Sequence, residues 1–342
     1  MSGRTLRSLF NRLKGYDEID DSFSLVWHAG EPLAAGLEFY RNAAQHIDAF
    51  HVEKDVRIRE FIQTNGTLIT AAWCDWFAER DIRIGLSIDG PDHVHDQNRI
   101  DRRGGGTHKK CMDGLRLLSE YGISFYNIAV ISDYSLDYPD DIFDFFVDNG
   151  IFDFGVNFAE IEGVNIASAV LKKEFEGRAE EFLRRFIERV ETGPRHVRMR
   201  ELDGFKSYLS HGPRRGLSQN CKPGAIISVS RDGLFSTFAP ELLGIKVGSQ
   251  PFSPWNLDEH SFADMFRDQI YRGFADKILE GARQCELACD YFDICGGGSP
   301  SNKFAENERF DSTETRSCKL GVQMMSNVIA DQLLCKQQTI LN

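Results

Sequence analysis

Nowhere in the 342 residues is there a run of about 18 consecutive apolar side chains, so no segment reads as a membrane-spanning helix. The N-terminal Met-Ser-Gly-Arg-Thr-Leu-Arg leads into an amphipathic pattern rather than the apolar centre of a signal peptide, and the expected compartment is the cytoplasm. Excess basic charge is also lacking. A formal net charge of −12 and a pI near 5.3 disfavour nucleic acid or an anionic membrane as partner. Arg195, Arg198, Arg200, Arg214 and Arg215 form a local exception, able to hold an acidic peptide segment or to serve as a solvated basic face. Cysteine is absent before Cys74, and there is no low-complexity tract.

Of the eight cysteines, Cys285, Cys289, Cys295 and Cys318 form a C-x3-C-x5-C-x22-C set. Three thiolates within eleven residues and a fourth from a later loop can close around one soft metal centre, either zinc or an iron–sulfur cluster. Gly296, Gly297 and Gly298 follow the third cysteine, as a chain bending tightly beside such a centre requires. Disulfides or unrelated buried thiols are the alternative, and the lack of an export signal favours metal. Cys74, Cys111 and Cys335 read as ordinary core thiols on helix faces.

Helical and strand periodicities alternate through the first 160 residues. Leu6, Leu9, Phe10 and Leu13 mark a helix over 4–14. Strands are expected at 23–27, 56–63, 82–89, 124–132 and 152–158, with helices at 34–49, around Trp73 to Phe77, at 107–121 and at 139–148. Repeated βα units imply a parallel sheet covered by helices and closing as a (β/α) barrel or part of one, with functional residues just after the strands. In 82–89 the residues Ile82, Ile84, Leu86 and Ile88 should face the helices, leaving Ser87 and Asp89 on the lumen side. Such a barrel ordinarily begins with a strand, whereas this chain opens with a helix, so the first strand is expected to be missing. A charged helix over 166–190 follows. From about 205 the composition shifts to Gly, Pro, Ser and Cys with short strands at 226–229 and 234–236, as in a small domain organised by metal rather than by a large core. A helix over 320–340 ends the chain. The expected division is 1–165, a partial barrel; 166–204, a linking helix and connection; and 205–342, a cysteine-rich domain.

Three loops at strand ends carry polar groups beside glycine. Trp27-His-Ala-Gly-Glu-Pro32 offers Gly30 and Glu31, able to approach a ligand ammonium closely. Gln63-Thr-Asn-Gly-Thr67 offers Asn65, both donor and acceptor. Gly85-Leu-Ser-Ile-Asp-Gly-Pro91 with Arg99 supplies a hydroxyl, Ser87, and a guanidinium able together to grip a carboxylate. Each has a purely structural alternative: Glu31 as a helix cap, Arg99 paired with Asp89 or Asp96, and His28 as a packed histidine.

The loops in this order, with the cysteine-rich tail behind them, resemble the radical S-adenosylmethionine (SAM) enzymes that carry a SPASM auxiliary-cluster domain, from residue 4 to about 335. The resemblance assigns Gly30 and Glu31, in Ala29-Gly30-Glu31-Pro32, to the SAM amino group, places Ser87 and Arg99 at its carboxylate or ribose, and puts Asn65 in the same pocket. Trp27-His-Ala-Gly-Glu-Pro-Leu33, Ser236-Thr-Phe-Ala-Pro-Glu-Leu-Leu243 and Cys295-Gly-Gly-Gly-Ser-Pro-Ser-Asn302 are similar to segments of the cyclophane-forming peptide maturases. The implied activity is hydrogen abstraction by a 5′-deoxyadenosyl radical from an unactivated carbon of a ribosomally made precursor, closing a ring on an aromatic side chain. SAM and a [4Fe–4S] cluster are the implied cofactors, and a precursor peptide and an electron-donor protein the implied partners.

The sequence departs from the family at two places. The C-x3-C-x2-C motif that binds the SAM-cleaving cluster is not in it, so the expectation is either an upstream start or a truncated, non-catalytic relative that binds peptide and holds one cluster or zinc. Where the family has further auxiliary-cluster cysteines, Phe238 and Ser299 stand here. The first auxiliary site is therefore expected to be lost, leaving Cys285, Cys289, Cys295 and Cys318 for the second; the Phe238-Ala239 pair also disfavours sulfatase maturation.

Overall fold

The computed structural model describes residues 1–161, 173–212 and 216–341. Six parallel strands form one sheet in sequential order: β1 (Ser22–Trp27), β2 (Arg57–Thr64), β3 (Arg83–Leu86), β4 (Phe125–Ile131), β5 (Asp153–Phe158) and β6 (Arg198–Met199). Helices α1 (Gly3–Lys14), α2 (Leu37–Lys54), α3 (Ala71–Arg80), the short α4 (Asp92–His95), α5 (His108–Glu120), α6 (Pro139–Asp148), α7 (Lys173–Thr192) and α8 (Arg200–His211) accompany it. This is the expected α/β partial barrel, and since every strand runs the same way, every βα loop opens at one mouth.

Alternation in β3 orients the sheet as expected. Ile82, Ile84, Leu86 and Ile88 lie in the main core with Trp73 and Phe77 of α3 and Leu115 and Leu118 of α5. Past the end of β3, buried Asn127 continues the ladder with its side chain: Oδ1 accepts from the Ile88 N–H and Nδ2 donates to the Ile88 carbonyl, both at 3.0 Å. Helix α5 approaches the β2 loop so closely that a Cβ on Gly114 would lie 2.3 Å from the Gly66 carbonyl oxygen.

The C-terminal region departs from expectation. It contains strands β7 (Ile227–Val229), β8 (Phe235–Thr237), β9 (Lys246–Val247) and β10 (Gln250–Pro251). It also contains helices α9 (Phe262–Arg267), α10 (Gln269–Ala288), α11 (Phe292–Cys295), α12 (Pro300–Asn307) and α13 (Arg316–Cys318), then a π-helical stretch Lys319–Met324 and α14 (Met325–Leu341). Its centre is a second, aromatic core around Phe235, Phe252, Trp255, Phe274 and Phe310, so apolar burial organises this region rather than metal alone. The polar composition concealed it, because the aromatics are spread over loops and a 20-residue helix without a continuous apolar run. Helix α1 is shared: Phe10 packs on Phe50 of α2, while Leu9 joins the C-terminal core and Arg12 Nε donates to the Leu257 carbonyl at 2.9 Å.

Candidate SAM and cluster site

Glu31 caps the 3-10 turn Pro32–Ala35 and does more than cap it. Its Oε1 accepts from the Leu33 N–H (2.9 Å) and the Thr64 hydroxyl (2.7 Å), and its Oε2 accepts from the Asn65 N–H (2.9 Å). One carboxylate thereby ties the β1 loop to the β2 loop. A carboxylate offers about four lone-pair positions, so one remains for a ligand ammonium. Ala29 and Gly30 before it are both left-handed, with φ of 69° and 61°, a turn natural for glycine and strained for alanine.

Asn65 Oδ1 accepts from the N–H and hydroxyl of Thr67, closing an Asx turn that holds the loop. Ser87 joins the same rim: its N–H donates to the Thr64 carbonyl at 3.0 Å, and its hydroxyl accepts from Gln63 Nε2 at 2.9 Å. Gln63 lies across Gly85, where a Cβ would stand 2.0 Å from Gln63 Oε1. Nothing in the pattern of residues singles out Gln63 beyond its place beside a glycine turn.

Arg99 is committed to Asp89. Its Nε and Nη2 donate to the two carboxylate oxygens at 2.6 and 2.9 Å, and Asp89 Oδ1 also accepts from the Val130 N–H. The pairing alternative therefore holds for Arg99, and only its other N–H groups remain for a ligand. His95 supports the pair from beneath: Nδ1 accepts from the Asp89 N–H, Nε2 faces the Thr107 hydroxyl at 3.2 Å, and that hydroxyl donates to the Arg99 carbonyl. Burial pulls the His95 pKa down to about 4, so the ring is neutral at pH 7. The rim thus holds two hydrogen-bonded groups, one joining the β1, β2 and β3 loops through Glu31 and Ser87 and the other tying the β3 loop to β4 through Asp89.

Other expectations need correction. His28 and Cys335 are exposed rather than packed, while Cys74 and Cys111 are buried core thiols. Two members of the basic cluster are neutralised: Arg198 pairs with Asp203, and Arg200 pairs with Glu201 while also donating to Asn157 Oδ1; Arg195 is exposed. Arg214 and Arg215 lie outside the described residues, as does the start of the helix expected from 166.

Cys285 lies in the last turn of α10, Cys289 caps it, Cys295 ends α11 and Cys318 ends α13. Thr315 Oγ1 receives the Cys318 N–H, and Glu306 of α12 accepts from the N–H and hydroxyl of Ser317, fixing that loop. Gly296, Gly297 and Gly298 have φ of 65°, 100° and 77°. Burial pushes the Cys295 thiol up, the Gly297 and Gly298 N–H groups draw it down, and the charges of Cys289 and Cys285 push it up again. Cys318 likewise feels Cys295 and Cys289 after burial. The four thiols are neighbours, yet among the described residues no three His, Cys, Asp or Glu side chains could hold a metal ion together. A zinc ion needs all its sulfurs about 2.3 Å away. A four-iron cluster binds each thiolate through a different iron and so takes more widely separated sulfurs. Beside the thiols the Lys303 ammonium is buried against Cys285 Sγ at 3.4 Å, a position that suits an anionic group.

The family model of the radical SAM superfamily matches residues 3–146. A protein of Synechocystis is 40% identical over 316 residues, covering 91% of this chain and 79% of its own length, and is itself uncharacterised. The chain belongs to the radical SAM superfamily. This radical SAM protein is also 22% identical over 296 residues to a cysteine-type anaerobic sulfatase-maturating enzyme of Clostridium novyi, covering 85% of this chain and 76% of the enzyme. In fold it is similar to the native anSMEcpe structure with bound AdoMet, at a TM-score of 0.79 and 21% identity over 99% of this chain and 91% of that one. Streptococcus suis SuiB bound to the precursor peptide SuiA follows at 0.55 and 17% identity over 93% and 69%.

Proposed function

We propose that this radical SAM protein is a SPASM-type peptide maturase that forms a carbon–carbon crosslink of the cyclophane kind in a ribosomally made precursor. The observation that carries the reading is a cavity of about 250 Å³ at the barrel mouth. One wall is the end of β5 and its loop, Val156 to Glu160; the other is Ser317, Leu320 and Gly321, beside Cys318. Asn302, downstream of the glycine turn, donates to Glu160 at 3.2 Å and joins the two walls. A peptide side chain seated there would lie at the end of β5, beside the loop that carries Cys318.

Glu31 with the Ala29-Gly30 turn would receive the SAM ammonium, and Ser87 with the remaining N–H groups of Arg99 its carboxylate or ribose. Cys285, Cys289, Cys295 and Cys318 would hold one auxiliary cluster. SAM, when bound and reduced, supplies a radical able to take hydrogen from unactivated carbon, and the chain's own residues position the peptide and exclude water. Phe238, fully buried and stacked on Tyr271 at 6.1 Å, fills the place of a first auxiliary-cluster ligand, consistent with a single cluster. The peptide-bound structures of anSMEcpe and SuiB support a peptide partner.

The 342 residues carry no C-x3-C-x2-C, and a protein that lacks it upstream as well would be a second case, a non-catalytic relative that binds peptide. The deciding experiment expresses the protein from its own locus with a candidate precursor peptide and supplies reductant and SAM. 5′-Deoxyadenosine together with a peptide lighter by two hydrogens per ring supports the maturase. A peptide bound but unchanged, with SAM intact, supports the binding protein.

A further inference from the structure

We propose that Lys303 sets the reduction potential of the cluster held by Cys285, Cys289, Cys295 and Cys318; the inference rests on the cluster reading above. Lys303 is 2% exposed, a burial that lysine rarely tolerates without an anionic partner. Among the described residues its Nζ forms no ion pair with a carboxylate, and its hydrogen-bond partner is Cys285 Sγ at 3.4 Å. A neutral thiol does not balance a buried ammonium. A thiolate does, which makes this lysine complementary to the ligated form of Cys285 and not to the free thiol.

The aim of the side chain is fixed by its helix. Pro300 starts α12 directly after the Cys295-Gly-Gly-Gly turn, and Phe304, next to Lys303, stacks on Phe310 at 5.0 Å. The nearby Cys221 does not compete for the ammonium as a thiolate. Its buried thiol is pushed up by burial and donates to the Gly298 carbonyl at 3.4 Å, so it pins the glycine turn. A positive charge and an N–H donor held against a ligand sulfur favour the more negative, reduced state of a cluster, and hydrogen bonds to sulfur and net charge are the means by which proteins tune such potentials.

The test compares wild type, Lys303→Met and Lys303→Arg by iron and sulfide content and by redox titration followed with electron paramagnetic resonance. With equal loading, Lys303→Met should titrate at a lower midpoint than wild type, and Lys303→Arg should return most of the shift. Loss of cluster from Lys303→Met but not from Lys303→Arg also supports the assignment, since methionine fills the same space without charge. A loaded Lys303→Met with an unchanged midpoint overturns it, as does equal loss of cluster from both variants. Wild-type protein that assembles no iron and sulfide overturns the cluster reading itself, and the role of Lys303 falls with it.

Discussion

At the scale of single residues, the rim shows why a motif can be recognised while its use stays hidden. Glu31 was identifiable from its neighbours Gly30 and Pro32, but two of its three accepted hydrogen bonds, from Thr64 and Asn65, depend on a loop about 34 residues later. Ala29 is a local conflict on the rim, an alanine at φ 69°. Ala29→Gly should stabilise the fold by roughly 0.5–1 kcal/mol in denaturant unfolding, the relief of left-handed strain outweighing the added freedom of the unfolded chain. His95 makes a pH prediction. Its folded pKa of about 4 lies below the ordinary 6.5, so the unfolded chain binds the extra proton between those values. The contribution of neutral His95 is complete above pH 6.5 and is lost as pH falls toward 4, about 3 kcal/mol in all. His95→Gln should therefore flatten the stability profile across that window; an unchanged slope would contradict burial as the cause.

At the scale of elements, βα periodicity was legible because each unit carries its own pattern. The Ile82 to Ile88 alternation placed its apolar face, and the helix expected at 139–148 is the observed Pro139–Asp148. Helices α8 and α10 were not legible: α8 is polar and charged, and α10 sits within a stretch whose glycines and cysteines suggested loops. The glycine turn after Cys295 has the left-handed backbone that a run of three glycines suggests. A Cβ on Gly297 would meet the Ala282 Cβ of α10 at 2.9 Å while its φ is 100°. Gly297→Ala should push the turn off α10 and destabilise the protein by about 2 kcal/mol, with iron retention falling alongside the unfolding midpoint. Retention equal to wild type would show that the turn does not position Cys295.

At the scale of the whole molecule, two cores meet at one mouth. The βα core presents the rim loops, the aromatic C-terminal core presents the cysteine turn, and α1 packs on both regions. Composition showed the first core and hid the second, because charge and loop residues dominate the average over residues whose buried members are aromatic. None of the helices among the described residues is long and apolar enough to cross a membrane. The account turns on what the four C-terminal cysteines hold, and iron and acid-labile sulfide analysis of anaerobically reconstituted protein tests that most directly, with Cys295→Ala as control. It should find one cluster of four irons and four sulfides in the wild type and a marked loss in the variant. Zinc without sulfide, or two intact clusters, would contradict the account.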